Sequence, residues 1–129
     1  MSDLGEKPTI LVVDDAPESI DVLVGILQPE YRVKVAPNGE QALRIAASGD
    51  PPDLILLDVI MPGLSGYEVC RELKGAPATS GIPVIFVTSM DGPQDELRGF
   101  DLGAADYITK PFDPLVVLAR VRARLAEAR

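Results

Sequence analysis

Residues 53–74 read DLILLDVIMPGLSGYEVCRELK. Leu54, Ile55, Leu56 and Leu57 run without a polar break and stop at a single acid, Asp58. An unbroken apolar run of that length suits a strand covered on both faces. A turn built from Pro, Gly and Ser follows, and then a helix-like segment, 67–74, that ends at Gly75. The unit is strand, acid, turn, helix. A strand buried on both faces belongs to a parallel sheet with helices on each side.

The same unit recurs in both directions. TILVV (9–13), YRVKV (31–35), VIFV (84–87) and ADYI (105–108) read as further strands. YRVKV alternates apolar with polar residues, which suits a sheet-edge strand with one polar face. Between the strands lie helical patterns. Segment 18–27 carries Ile20, Leu23, Val24 and Leu27 at helical spacing, with Pro17 suited to the first turn. Segment 40–47 presents Ala42, Leu43 and Ala46 after Asn38-Gly39, and 93–102 pairs Leu97 with Phe100 before Gly103. Asp113-Pro114 opens a last helix running through Leu115, Leu118, Val121 and Leu125. Strict alternation predicts an α/β architecture, a five-stranded parallel sheet with helices on both faces.

The chain has 129 residues, a length that favours one domain with a sizeable core. Residues 1–8 are expected to form a flexible tail and 9–129 the domain. The stretch LARVRARLAEAR (118–129) contains neither Gly nor Pro, so a natural end and a helix continuing as a linker to an output domain look alike here. With 12 Lys+Arg against 20 Asp+Glu, the formal charge is −8, which argues against phosphate-backbone recognition and so against nucleic-acid binding by this segment. The acidity is uneven, because 113–129 holds four arginines and two acids. There is no His, which removes Ser-His-Asp and Cys-His nucleophile pairs and imidazole zinc sites. A lone cysteine, Cys70, cannot form an internal disulfide and fits a reducing compartment. The N-terminus lacks signal-peptide character, and the apolar runs are far below membrane-spanning length. A cytoplasmic protein without membrane contact is expected.

In an open parallel sheet, ligands bind beyond the carboxyl ends of the strands. Those ends carry Asp14-Asp15, Asp58, Thr88-Ser89 and Thr109-Lys110-Pro111, whereas the second strand ends in Ala36-Pro37-Asn38. Any one of these alone would be an ordinary cap or loop; their agreement at one edge is harder to explain structurally. Three carboxylates together repel one another, and a divalent cation removes the conflict. All-oxygen ligation without His or Cys suits Mg²⁺. Lys110 adds a positive charge at the same rim, which suits a developing phosphoryl charge. A carboxylate can itself be the nucleophile, giving an aspartyl phosphate. Asp58 stands alone and suits the acceptor; Asp14 and Asp15 suit a metal-holding pair.

The runs ILVVDDAPE, DLILLDVIMPGLSGYEVCRELK, VIFVTS and DYITKPF resemble the receiver domain of bacterial two-component response regulators, across roughly residues 9–125. The resemblance implies a (βα)5 flavodoxin-like fold with strand order 2-1-3-4-5, and a phosphorylation-activated switch in a phosphorelay. It implies Asp58 as phosphoacceptor, Asp15 as direct Mg²⁺ ligand, Asp14 acting mainly through water, and the backbone carbonyl of Ile60 as a further ligand. Thr88 matches the hydroxyl that engages a phosphoryl oxygen, Lys110 the lysine that pairs with the phosphoryl group, and Tyr107 the aromatic switch that turns inward as Thr88 moves. The Lys110-Pro111 bond resembles one that is cis in this family. A sensor histidine kinase or phosphotransfer protein is the implied donor. The implied output surface is the face of the fourth helix (93–102), the fifth strand and the last helix, reaching an output domain or partner protein; the same face suits homodimerisation. KPFDPLVVLARVRARL resembles receivers joined to cyclic-dinucleotide enzymes or to histidine-kinase-like modules.

Such a domain is a regulated module and not a turnover enzyme. An aspartate-nucleophile phosphatase would use similar residues, but would carry a second aspartate where Ile60 stands; a receiver that docks unphosphorylated would not need the full set of Asp14, Asp15, Asp58, Thr88 and Lys110. Ile60 and Met90 occupy the two positions that tune phosphoryl lifetime in the family. Neither can orient water by strong hydrogen bonding, so self-dephosphorylation is expected to be slow. Cys70 reads as a core residue. Arg120 and Arg124 share a helix face that Arg122 does not, and Asp95, Glu96 and Asp101 could oppose them.

Overall fold

The computed structural model of the chain describes residues 7–89 and 101–128. Within them the strands are β1 (Thr9–Val13), β2 (Arg32–Ala36), β3 (Leu54–Leu57), β4 (Val84–Thr88) and β5 (Asp106–Thr109). The helices are α1 (Pro17–Leu27), α2 (Gly39–Ala46), α3 (Gly66–Gly75) and the last helix, α4 (Pro114–Ala128). All strand pairs are parallel, in the order β2-β1-β3-β4-β5, as the resemblance implied. The expected helix over 93–102, with Asp95 and Glu96, lies outside the described residues except for its last two positions, and so do Met90 and most of the expected N-terminal tail. Pro8, placed in that tail, is already tied to the sheet, its carbonyl accepting from the Arg32 N–H at 2.9 Å.

The period-two geometry of the strands divides the core into two layers. Leu11, Val13, Ile55, Leu57, Val84, Phe86 and Tyr107 face α2 and α3. Ile10, Val12, Leu54, Leu56, Ile85, Val87 and Ile108 face α1 and α4. β1, β3 and β4 are buried at every position, which is why they carry no polar alternation. β2 lies at the sheet edge, as its alternating sequence suggested.

Boundaries shift where local bonding overrides the pattern. β2 begins at Arg32 because the Tyr31 N–H still closes α1 onto the Leu27 carbonyl at 2.9 Å. β4 reaches Thr88, which pairs in register with Thr109. In α4 the buried stripe is Val117, Val121 and Leu125, with Leu118 packed against it, whereas Leu115 is 78% exposed. Leu115 lies two residues from Val117, about 200° around the helix, and so points away from the sheet. Its N–H is held by the Asp113 carboxylate at 2.9 Å, which caps the helix.

Arg120 and Arg124 of α4 both turn to β5. Arg120 donates to the Tyr107 carbonyl, and Arg124 lies 3.8 Å from the Asp106 carboxylate and 3.0 Å from Glu127. Arg122 points instead to Glu30 at 3.2 Å, which the 100° step between helix residues explains. Asp106 therefore supplies a counter-charge that was not anticipated. Among the described residues, no helix is long and apolar enough to cross a membrane.

Candidate functional site

β1 and β3 are neighbours, and the parallel ladders continue one residue past each of them. The Asp14 N–H donates to the Ala36 carbonyl at 3.2 Å and the Asp58 N–H to the Val13 carbonyl at 2.9 Å. These bonds set Asp14 and Asp58 side by side at the carboxyl edge. Asp15 follows on the exposed rim. One carboxylate oxygen from each of Asp14, Asp15 and Asp58 lies within 4.8 Å of the others. Asp14 is 1% and Asp58 6% exposed, so two of these acids are held out of water.

Lys110 reaches this cluster from two strands away. Its Nζ lies 3.1 Å from Asp14 Oδ2 and 3.6 Å from Asp58 Oδ2. Its backbone N–H donates to the Thr88 carbonyl at 3.0 Å, which fixes the root of the lysine to the end of β4. The Lys110-Pro111 bond is cis. Asp14 also accepts from the Ala16 N–H at 2.9 Å, which orients its carboxylate. The Asp58 carboxyl is pushed up to about 6, first by burial and then by the Asp14 charge; Lys110 and the Ile60 N–H oppose the rise. One ammonium thus does not balance the acids. A compact cluster of hard oxygen donors with negative charge to spare fits a divalent cation such as Mg²⁺.

The loop that follows Asp58 is shaped by two glycines. Gly63 adopts φ +78°, a backbone conformation that a side chain would strain. Gly66 opens α3 directly against the Asp58–Val59 peptide. Its N–H donates to the Val59 carbonyl at 2.8 Å, and a Cβ at this position would lie 2.2 Å from the Asp58 carbonyl oxygen. Along this loop Val59 and Met61 turn into the core, and the Ile60 side chain is left 62% exposed.

The structure thus gathers Asp14, Asp15, Asp58 and Lys110, with the Ile60 backbone N–H against Asp58 and Thr88 buried at the neighbouring strand end. Tyr107 is not part of the cluster. It is 3% exposed, packed inward in the layer under α3, with its hydroxyl 3.4 Å from that of Tyr67. Sequence reasoning missed Tyr67. A tyrosine on the apolar face of a predicted helix was the available signal, because its hydroxyl needs a polar neighbour. Cys70 is buried, its Sγ 3.5 Å from the Leu102 carbonyl, and burial pushes its thiol up, as a core residue requires. Shallow clefts lined by Pro52, Ile82 and Leu125, and by Pro8, Tyr31 and Arg122, lie near the amino-terminal strand ends, away from the acids.

Known proteins share this plan. The family model for the response regulator receiver domain matches residues 10–122. The chain is 46% identical over 129 residues to a probable cyclic di-GMP phosphodiesterase of Vibrio cholerae, covering all of this chain and 29% of the relative. It is 48% identical over 114 residues to the response regulator PleD of Caulobacter vibrioides, covering 88% of this chain and 25% of that one. It therefore spans under a third of the length of either. The crystal structure of a putative response regulator from Chloroflexus aurantiacus superposes with a TM-score of 0.89 at 34% identity, covering 94% of this chain and 99% of that one. With a family match over residues 10–122 and the 2-1-3-4-5 parallel sheet beneath it, the chain belongs to the response regulator receiver domains, the phosphoryl-accepting switch modules of two-component systems.

Proposed function

We propose that Asp58 is the phosphoacceptor of this receiver and that Lys110, Thr88 and Tyr107 turn its phosphorylation into a change of shape. The observation that carries the reading is the juxtaposition of the buried Asp58 carboxylate with Lys110 Nζ at 3.6 Å, beside Asp14 and Asp15. An Asp58 oxygen forms the new P–O bond while the P–N bond of a donor phosphohistidine breaks. The imidazole leaves with the electron pair and takes a proton from solvent. Lys110 is placed to pair with the oxygens of the transferred group, and the Thr88 hydroxyl to engage one of them. Mg²⁺, held by Asp14, Asp15, Asp58 and the Ile60 carbonyl, would supply the remaining neutralisation of phosphoryl charge.

Residues 9–129 act on this reading as one receiver unit in the cytoplasm, with a sensor histidine kinase or phosphotransfer protein as donor. It is a two-state switch and not a turnover enzyme. The face of β5 and α4 is the proposed contact for an output domain, a partner protein or a second copy. The name of the Vibrio cholerae relative supports a cyclic di-GMP enzyme as one such output.

Beryllofluoride with Mg²⁺ stands in for the phosphoryl group and tests the site without a donor. It should raise the melting temperature of the wild type by about 5 °C or more, as tight binding to the folded state requires. Asp58→Asn should lose that shift; an equal shift in the mutant would place binding elsewhere. The exposed, apolar Ile60 side chain offers no hydrogen bond to an attacking water. The phosphorylated domain, followed by intact mass, should therefore lose its phosphoryl group over hours. Loss within seconds would contradict that expectation.

A further inference from the structure

α3 begins on the Asp58 loop and ends its first turn in the core beside Tyr107. Gly66 is pressed on the Asp58–Val59 peptide so closely that no side chain fits between them. The first turn is stiffened by a capping box, with the Glu68 N–H donating to Ser65 Oγ at 3.2 Å and the Ser65 N–H donating to Glu68 Oε1 at 2.9 Å. The Asp58 loop and the first turn of α3 are thus in direct backbone contact. Tyr67, the next residue, is buried. Its ring meets Phe86 edge-on, with centroids 5.3 Å apart at 69°, and Phe86 in turn meets Tyr107 at 5.5 Å and 46°. The Tyr67 and Tyr107 hydroxyls lie 3.4 Å apart. Three aromatic rings thus run from α3 across β4 to β5 in one core layer, with a polar contact between the two ends.

We propose that Tyr67 is a positioning residue of the switch, holding the Tyr107 ring inward through its hydroxyl and coupling that position, through Gly66, to the Asp58 loop. Burying a hydroxyl in an apolar layer is unfavourable unless it finds a partner, so each tyrosine lowers the cost of burying the other. When the Asp58 loop moves, α3 moves Tyr67, and the preference of Tyr107 for its inward position changes. This link runs beside the one through Thr88 and rests on the reading of Asp58 and Tyr107 given above.

Tyr67→Phe removes the hydroxyl and keeps the ring, its volume and its contact with Phe86. Aromatic NMR of the full chain reads the result through the contacts of the ring at position 107 with Phe86. At 3.4 Å the hydroxyl contact is long, so the expected fall in the inward-to-outward ratio is modest, about threefold, within the range of one neutral hydrogen bond. Tyr107→Phe removes the hydroxyl on which the contact acts, so adding Tyr67→Phe in that background should leave the ratio within about 1.5-fold. Acetyl phosphate labelling of Asp58, read by intact mass, should remain within about twofold of wild type in Tyr67→Phe, because no reacting group is altered. An unchanged ring ratio in Tyr67→Phe, or the same threefold fall when Tyr67→Phe is added to Tyr107→Phe, overturns the proposal while wild-type labelling still stands. Absence of labelling in the wild type overturns the phosphoacceptor reading, and the switch role of Tyr67 with it.

Discussion

Asp58 carries the tension of the site. Its carboxyl is raised from 3.8 to about 6, so the folded, metal-free protein holds that proton more tightly than the unfolded chain. The stability contributed by proton binding is fully present below about pH 4 and is lost as the pH rises through about 6. Above that window the buried ionised group disfavours the fold, on the order of 3 kcal/mol. Asp58→Asn, measured by urea denaturation without metal, should therefore be more stable than wild type at pH 7, with the gap narrowing toward pH 4. A mutant less stable at pH 7, or a gap independent of pH, would show that the charge cluster is not the cause. At this scale the sequence was informative. Asp14, Asp15, Asp58 and Lys110 stand at strand ends, and strand ends are where an open parallel sheet places its chemistry. Tyr67 was not legible in the same way, because its polar neighbour Tyr107 lies 40 residues away in the chain.

Among the described residues the elements were read almost to their boundaries, and the main error has a clear physical origin. In α4 the run Leu115, Val116, Val117 and Leu118 is apolar at every position, so its sequence does not fix which face is buried. The structure chooses Val117, Val121 and Leu125, spaced four apart, and leaves Leu115 in solvent. Val121→Ala should accordingly cost about 1–3 kcal/mol in urea unfolding. Leu115→Ala should stay within about 0.5 kcal/mol, as an exposed substitution does. The reverse ranking would mean that the helix is rotated about its axis. The contacts of Arg120 and Arg124 with β5 were likewise beyond the sequence. Helical spacing put both arginines on one face but could not say that the face met Asp106 and the Tyr107 carbonyl.

The whole molecule follows from one repeated unit. Three strands without polar alternation had to be covered on both faces, and strict alternation with helices left a doubly covered parallel sheet as the consistent arrangement. That architecture brings the ends of β1, β3, β4 and β5 to one edge, and three acids, a hydroxyl and a lysine with them. The basic residues Arg120 and Arg124 of α4 meet β5, so this basic helix is part of the surface proposed for output. The central claim is that Asp58 accepts a phosphoryl group. Intact mass after incubation with acetyl phosphate and Mg²⁺ tests it most directly. A gain of one phosphoryl group that requires Mg²⁺ and is absent from Asp58→Asn is the predicted result. No gain in the wild type, or the same gain in Asp58→Asn, would contradict it.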